Sequence, residues 1–178
     1  MSDSIFIKQF EDISIRGRIA YGTMCAEEYI LSTRPTQDWS PVFKKFWDFN
    51  ETEYWDDWHD EMLDILPECF LEFPSYETSD FQVLTKEEYT AISALYKPIP
   101  EHWEVIIKNI FAMEEAYAYS TIPGTGLESL QSLSAIIDVL EGLHITLPSL
   151  NSVQQYRFAE KKGWGERFDC KPLSKILK

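Results

Sequence analysis

Apolar residues recur every three or four positions along most of the chain, a spacing typical of helices that bury one face. The alternating pattern of a half-buried strand is confined to two short stretches, SIFIKQF at 4–10 and FQVL at 81–84. The pattern predicts an all-α fold of six to seven helices packed as a mostly antiparallel bundle. Because 178 residues is the usual length of one domain, we expect residues 1–178 to form a single helical domain.

Capping and turn signals divide this pattern into individual helices. Ser40-Pro41 is typical of an N-cap followed by proline, and Thr52 is a second candidate N-cap. Thr85 and Glu88 have the spacing of a capping box, and residues 123–126, Pro-Gly-Thr-Gly, predict a turn between helices. The predicted helices cover about 15–31, a short segment from Ser40, 53–66, a segment from Thr85 to about Tyr96, 101–119, 127–144 and 150–162.

Residues 53–62 read EYWDDWHDEM and combine five carboxylates with two tryptophans. The helical period predicts that one side of this segment faces the core, with Tyr54, Trp55, Trp58, Met62 and Ile65. It predicts that the other side faces solvent, with Glu53, Asp56, Asp57, Asp60 and Asp64. Like charges four residues apart repel, as in the pairs Asp56 with Asp60 and Asp57 with Glu61. A solvated face is the simplest interpretation, and a surface that binds a partner is the alternative.

The charge balance narrows the classes of partner. The net charge is −14, and the segment between Phe46 and Thr85 holds twelve acidic residues and no lysine or arginine. Phosphate backbones are bound by clusters of lysine and arginine, so we do not expect nucleic acid as a partner. From Arg157 to Lys178 the balance reverses, with seven basic residues against three acidic ones. This tail either docks on the acidic segment or leaves that segment free to attract a basic partner.

The cysteines and the apolar runs indicate the compartment. Cys25, Cys69 and Cys170 are odd in number and widely spaced, so we expect reduced thiols rather than disulfides. The start of the chain lacks the pattern of a signal peptide, and no apolar run reaches the roughly 18 residues of a membrane span. The expectation is a cytoplasmic protein without a membrane partner.

Motifs for nucleophilic catalysis and phosphate binding are absent from the sequence. There is no GxSxG motif, and no cysteine stands near a histidine along the chain. Residues 123–126 lack the lysine of a phosphate-binding loop. We therefore expect no enzyme activity and no cofactor.

A metal site is the alternative interpretation of the acidic residues. Di-iron carboxylate bundles use Glu-x-x-His on two helices and a glutamate from each of two others. Glu141 to His144 matches this motif, and Asp56 to His59 is an aspartate variant. The candidate ligands are Glu27, His59, Glu114, Glu141 and His144, although Asp56 is predicted to face away from the core. The other interpretation of Glu114, Glu141 and His144 is a set of partly buried groups that pair with each other or with an arginine.

The closing segment KKGWGERF, residues 161–168, combines charge with aromatic residues. Gly163 suits the end of the last helix, and the two preceding lysines would complement its dipole. We expect Trp164 and Phe168 to fold back onto the bundle.

Three stretches together resemble a known class of proteins. They are Arg18 to Ile30, the tryptophan- and acid-rich segment Trp39 to Leu66, and Gly163-Trp164-Gly165. In their general residue pattern they are similar to small cytosolic immunity proteins of bacterial polymorphic-toxin systems. The resemblance implies binding of a cognate toxin domain and blockage of its active site or its folding. It implies no catalytic residues.

The sequence thus predicts a non-enzymatic cytoplasmic binding protein of the immunity type. An acidic, aromatic surface suits a basic, nuclease-type toxin because it attracts positive charge and supplies contact area. The predicted contact residues are Tyr54, Trp55, Asp56, Asp57, Asp60, Glu61 and Asp64. A metal protein is the first alternative, and a subunit of a larger assembly, marked by an exposed apolar patch, is the second.

Overall fold

The structure, a computed structural model, describes residues 4–178 and confirms the all-α class. Eight α-helices form within these residues, one more than the upper end of the prediction. They are α1 (Ser4–Lys8), α2 (Ile15–Thr33), α3 (Ser40–Glu51), α4 (Trp55–Ile65), α5 (Pro67–Phe70), α6 (Lys86–Leu95), α7 (Trp103–Glu115) and α8 (Leu127–Gly142). A 3-10 turn at Tyr76–Thr78 lies between α5 and α6, and two more follow α8 at Leu150–Ser152 and Glu160–Gly163.

Helix α2 is the centre of the fold and is buried along most of its length. Helices α7 and α8 pack against each other and against α2, and α3 packs on α2 and α4. The close approach depends on Gly22, where an added Cβ would lie 3.0 Å from Cε of Met113 and 3.2 Å from Cδ1 of Ile136. The buried apolar side chains form one continuous cluster. No helix within residues 4–178 has both the length and the apolar character needed to cross a bilayer.

Local capping explains where several helices begin. The hydroxyl of Ser14 accepts from the backbone N–H of Gly17 at 3.2 Å, and the predicted capping box of α6 forms between Thr85 and Glu88. The other two predicted N-caps are wrong by one or two residues. Helix α3 is preceded by Trp39 and already includes Ser40, and α4 is preceded by Tyr54 rather than Thr52.

Arg18 joins the beginning of the chain to α8 from within the core. Its Nε and Nη2 donate to the carbonyls of Phe10 and Glu11, each at 3.1 Å. Its Nη1 donates to the carbonyl of Gly126 at 3.0 Å and to the hydroxyl of Ser129 at 2.7 Å. The buried guanidinium thus has hydrogen-bond partners on all three nitrogens, as a buried charge requires.

The predicted last helix, 150–162, is wrong. Its internal backbone bonds are short turns only, and it also bonds to the chain before α2: Ser14 N–H donates to the carbonyl of Tyr156, and Phe158 N–H donates to that of Asp12. Lys161 and Lys162 then take φ values of +46° and +56°, which a right-handed helix cannot contain.

Both strand candidates are also wrong in the residues that the structure describes. The segment 4–10 contains α1, and 81–84 is an irregular segment leading into α6. Two long helices are shorter than predicted, since α7 ends at Glu115 and α8 ends before His144, whose φ is +56°.

Candidate functional site

Helix α4 presents its acidic side to solvent, as the sequence pattern predicts. Asp56, Asp57 and Asp60 are exposed, whereas Trp58 is buried against the core. Glu61 is half-buried at the edge of the acidic side. The helical period therefore identified most of this face correctly.

The two aromatic residues at the start of α4 do not behave alike. Tyr54 is 67% exposed, so the prediction that it faces the core is wrong and it stands free beside the acidic face. Trp55 is half-buried because its ring stacks on Trp164, with centroids 3.9 Å apart. Trp164 itself is only 7% exposed, which confirms that the closing segment folds back onto the bundle. Phe168 stacks on Tyr156 at 3.7 Å in the same segment.

Asp64 does not belong to the exposed face, and its predicted place there is wrong. The side chain is 5% exposed and turns toward the segment that precedes α6. Its carboxylate accepts from the backbone N–H groups of Gln82 at 3.0 Å, Val83 at 2.8 Å and Leu84 at 2.9 Å. A single carboxylate that accepts several N–H groups fixes a loop in place, so Asp64 has a structural role.

An acidic groove runs between α3 and α4. It has a volume of about 350 Å³, and its carboxylates come from Asp48 and Glu51 on α3 and from Asp57 and Glu61 on α4. No lysine or arginine among the described residues lines it. Sequence reasoning missed Asp48 and Glu51, although both lie in the stretch without basic residues and are spaced by three, on one side of a helix.

Burial and mutual repulsion act on the carboxylates of the acidic groove. Burial raises the pKa of Asp48, and the charge of Glu51 raises it further. Burial also raises the pKa of Glu61, whose Oε2 is buried without a hydrogen-bond partner. Lys45 counteracts both shifts, but its ammonium is held by Glu88 at 3.0 Å. The groove thus holds negative charge that the described residues compensate only in part.

The basic tail leaves the acidic groove open. Arg167 reaches the margin of the acidic segment, 3.7 Å from Glu53, and both side chains are more than half exposed. Lys175 pairs instead with Glu28 on α2. The tail thus docks on α2 through Lys175 and on the end of α3 through Cys170, whose N–H and thiol donate to Glu51 at 3.4 and 3.3 Å. No lysine or arginine of the tail lines the groove, which leaves it accessible to a basic partner.

Glu27 holds this tail in place and is not available as a metal ligand. Its buried carboxylate accepts from Nε1 of Trp47 at 2.8 Å, from the hydroxyl of Ser174 at 2.5 Å and from the N–H of Lys175 at 2.6 Å. Such saturation with donors is typical of a buried structural carboxylate.

The structure does not bring the five candidate metal ligands together. His59 Nδ1 lies 3.0 Å from Oε2 of Glu114, a pair that joins α4 to α7. Burial raises the pKa of Glu114, and His59 opposes that shift. Glu141 and His144 are exposed at the end of α8. Within residues 4–178, the one group of three metal-ligating side chains whose ligand atoms lie within 4.8 Å of one another is Glu51, Asp169 and Cys170.

The cysteines are thiols whose surroundings disfavour the reactive thiolate. All three are free, in agreement with the prediction of reduced thiols. Burial raises the pKa of Cys25 well above its usual value, and burial followed by the hydrogen bond to Glu51 raises that of Cys170 to about 12. A thiol with a raised pKa is a poor nucleophile at neutral pH.

Comparison of the chain with protein-family models, with curated proteins and with solved structures finds no match. The geometry of the molecule is therefore the basis for the function proposed next.

Proposed function

We propose that this protein is a binding protein of the immunity type, which neutralises a cognate toxin domain by binding a basic surface on that domain. The observation that carries the proposal is the acidic groove between α3 and α4, with Asp48, Glu51, Asp57 and Glu61 along it. Asp56 and Asp60 extend its negative surface along α4. The resemblance to immunity proteins supports the same function.

The physics of association favours a basic partner. Carboxylates that repel each other gain when a cation enters between them, and the field of an acidic surface speeds the encounter with positive charge. The raised pKa values of Asp48 and Glu61 indicate where this gain would be largest. Tyr54, 67% exposed beside the acidic face, offers aromatic contact area of the type enriched in binding hot spots.

The first experiment tests neutralisation directly. The C-terminal portion of the product of the adjacent upstream gene is expressed in a bacterial host, with and without this protein, and growth is recorded. Growth arrest that only this protein relieves is the expected result. The proposal is wrong if the fragment causes no arrest, or if this protein fails to relieve the arrest.

A pair of charge reversals then tests the surface. Asp57→Lys with Asp60→Lys should abolish rescue and weaken binding to the fragment at low salt by about a hundredfold, since close charge pairs across an interface are worth roughly 1.5–7 kcal/mol. The matched control is Glu101→Lys with Glu141→Lys, which changes the net charge equally at exposed positions outside the groove. Equal weakening by both pairs would show attraction to the overall charge and would contradict a role for the groove.

A further inference from the structure

A second cleft, of opposite charge character, lies at the beginning of α4 and shares no lining residue with the acidic groove. It has a volume of about 420 Å³, within the range of small-molecule sites. Its charged lining comprises Arg16, Lys161, Lys162 and Arg167 against two carboxylates, Glu53 and Glu166. A predominance of cations is unexpected in a protein with a net charge of −14. We call this site the cationic cleft.

Arg16 carries a buried charge without a carboxylate partner. It is 3% exposed, and its Nη atoms donate to the carbonyls of Phe49 and of Thr52, the latter at 2.9 Å. Its Nε is buried and has no hydrogen-bond partner. Within the described part of the chain, no carboxylate lies within 4.0 Å of the guanidinium. Since buried charges are normally paired, the cleft lacks a counter-charge that a ligand can supply.

The rim of the cationic cleft supplies further positive charge. Lys161 and Arg167 form long, exposed pairs, at 3.5 Å with Glu166 and at 3.7 Å with Glu53, and such pairs are weak. Lys162 is exposed and forms no ion pair with the described residues. An anion can therefore engage these groups without breaking a strong interaction.

The backbone of the rim is held in an uncommon conformation. Lys161 and Lys162 are consecutive non-glycine residues with positive φ, and Gly165 follows with a φ of +85°. A Cβ at Gly165 would lie 2.3 Å from Oγ of Ser14, so this turn closes directly onto the residue that caps α2. Backbone strain of this type concentrates at ligand sites.

Indole rings form the remaining wall. Trp55 and Trp164 stack 3.9 Å apart, and the guanidinium of Arg16 lies 5.8 Å from the ring of Trp55. Nε1 of Trp55 is a second buried donor without a partner. The wall offers an apolar surface to a ligand, and the two unpartnered donors, Nε of Arg16 and Nε1 of Trp55, are themselves buried.

We propose that the cationic cleft binds a small organic anion, with a phosphate or carboxylate group beside Arg16 and Lys162 and an apolar body against Trp55 and Trp164. Phosphate and carboxylate share the chemistry that guanidinium and ammonium groups recognise. Burial and, next, the charge of Arg167 lower the pKa of Arg16 to about 10, against the opposing charge of Glu166. The site is separate from the acidic groove, so its test does not depend on the proposed function.

The test uses phenyl phosphate and benzoate as probes, with benzyl alcohol as the uncharged control. Affinity is measured by calorimetry, and the indole N–H resonance of Trp55 is followed by NMR. Lys162→Gln is the main variant because the residue is exposed and unpaired, so the fold should tolerate the change. Lys108→Gln removes the same charge at a position outside the cleft.

Saturable binding of at least one anion, with a shift of the Trp55 resonance, is the expected result. Lys162→Gln should weaken that binding about tenfold, while Lys108→Gln should leave it within twofold of the parent. Binding of only one probe identifies the phosphate or the carboxylate as the ligand group. The proposal is overturned if neither anion binds, if benzyl alcohol binds equally well, or if both lysine variants have the same effect.

Discussion

The acidic groove and the cationic cleft both include residues of one short helix, α4, but they share no lining residue and are built in different ways. The groove takes its carboxylates from two regular helices that are close together in sequence; three of them are exposed and Glu61 is half-buried. The cleft takes Arg16 from the start of α2 and its lysines from a strained turn about 145 residues later. The first is a surface that helical periodicity specifies, whereas the second exists only because the tail folds back.

The comparison also separates two uses of charge. In the groove, burial, and after it the charge of neighbouring carboxylates, raises the pKa of Asp48 and Glu61. In the cleft, a guanidinium is buried with carbonyl partners and one nitrogen left over. The groove thus suits a large basic surface, and the cleft suits a small ligand that fills a defined space.

The largest expected effect concerns Asp64, the acidic residue of α4 that is buried instead of exposed. Asp64→Ala should lower the free energy of unfolding by about 3 kcal/mol, because three backbone N–H groups lose a charged acceptor. Urea unfolding measures the change. Asp60→Ala, on the exposed face of the same helix, should cost less than about 0.5 kcal/mol. Similar costs for the two variants would contradict the distinction between a structural acid and a surface acid.

Arg16 is expected to give the next largest effect. Arg16→Met should destabilise the protein by about 2 kcal/mol, because the carbonyls of Phe49 and Thr52 at the end of α3 lose their donor. The same urea titration applies, with Arg167→Met as the exposed control. A variant as stable as the parent would indicate that the guanidinium contributes nothing to the fold and serves the cleft alone.

At Lys162, in the turn with positive φ values, one substitution is expected to raise stability while it weakens anion binding in the cationic cleft. Lys162→Gly should raise the free energy of unfolding by roughly 0.5–1 kcal/mol, since glycine adopts a positive φ without a Cβ clash. The same change should weaken anion binding in the cleft. Thermal unfolding, followed by the calorimetric titration, measures both quantities. Loss of stability would show that the lysine stem contributes more packing than its backbone costs.

The smallest effect is the pH dependence of the acidic groove. A carboxyl group whose pKa is raised in the folded state destabilises the protein once it ionises, so stability falls as pH rises from the usual carboxyl pKa through the raised value. Burial raises the pKa of both Asp48 and Glu61. Asp48→Asn with Glu61→Gln should therefore flatten this fall and stabilise the protein at neutral pH, by less than about 1 kcal/mol because the groove is open to solvent.

Unfolding midpoints measured from pH 3.8, the usual pKa of an aspartyl carboxyl, to pH 7 in low salt test this prediction. The control pair is Glu101→Gln with Glu141→Gln, which removes the same charge outside the groove. If the variant had the same pH dependence as the parent, or if the control pair changed it equally, the raised pKa values of Asp48 and Glu61 would not be the cause of the fall in stability.

Sequence reasoning succeeded where local rules decide the structure. The capping box of Thr85 and Glu88 begins α6, and the period of α4 placed Asp56, Asp57 and Asp60 in solvent. These features depend on neighbours three or four residues away, which a sequence displays directly.

Sequence reasoning failed where segments distant in sequence compete for the same backbone groups. The segment 150–162 has helical spacing, but the C=O of Tyr156 and the N–H of Phe158 bond to Ser14 and Asp12, and only short turns remain within the segment. Asp64 fits the exposed face by period, yet N–H groups about twenty residues later turn it inward. Arg16 lies on α2 with nothing in its neighbours to indicate a cleft. Such contacts follow from the complete packing and not from local spacing.

The hydrogen bonds from Ser174 and Lys175 to Glu27 have a consequence for the order in which the protein folds during its synthesis. The carboxylate lies in the first long helix, yet two of its donors are 147 and 148 positions further along the chain. While the nascent chain is still being made, this acid has no complete set of partners, and its burial is unfavourable. Burial of α2 is therefore completed only after residues 174–175 have been synthesised.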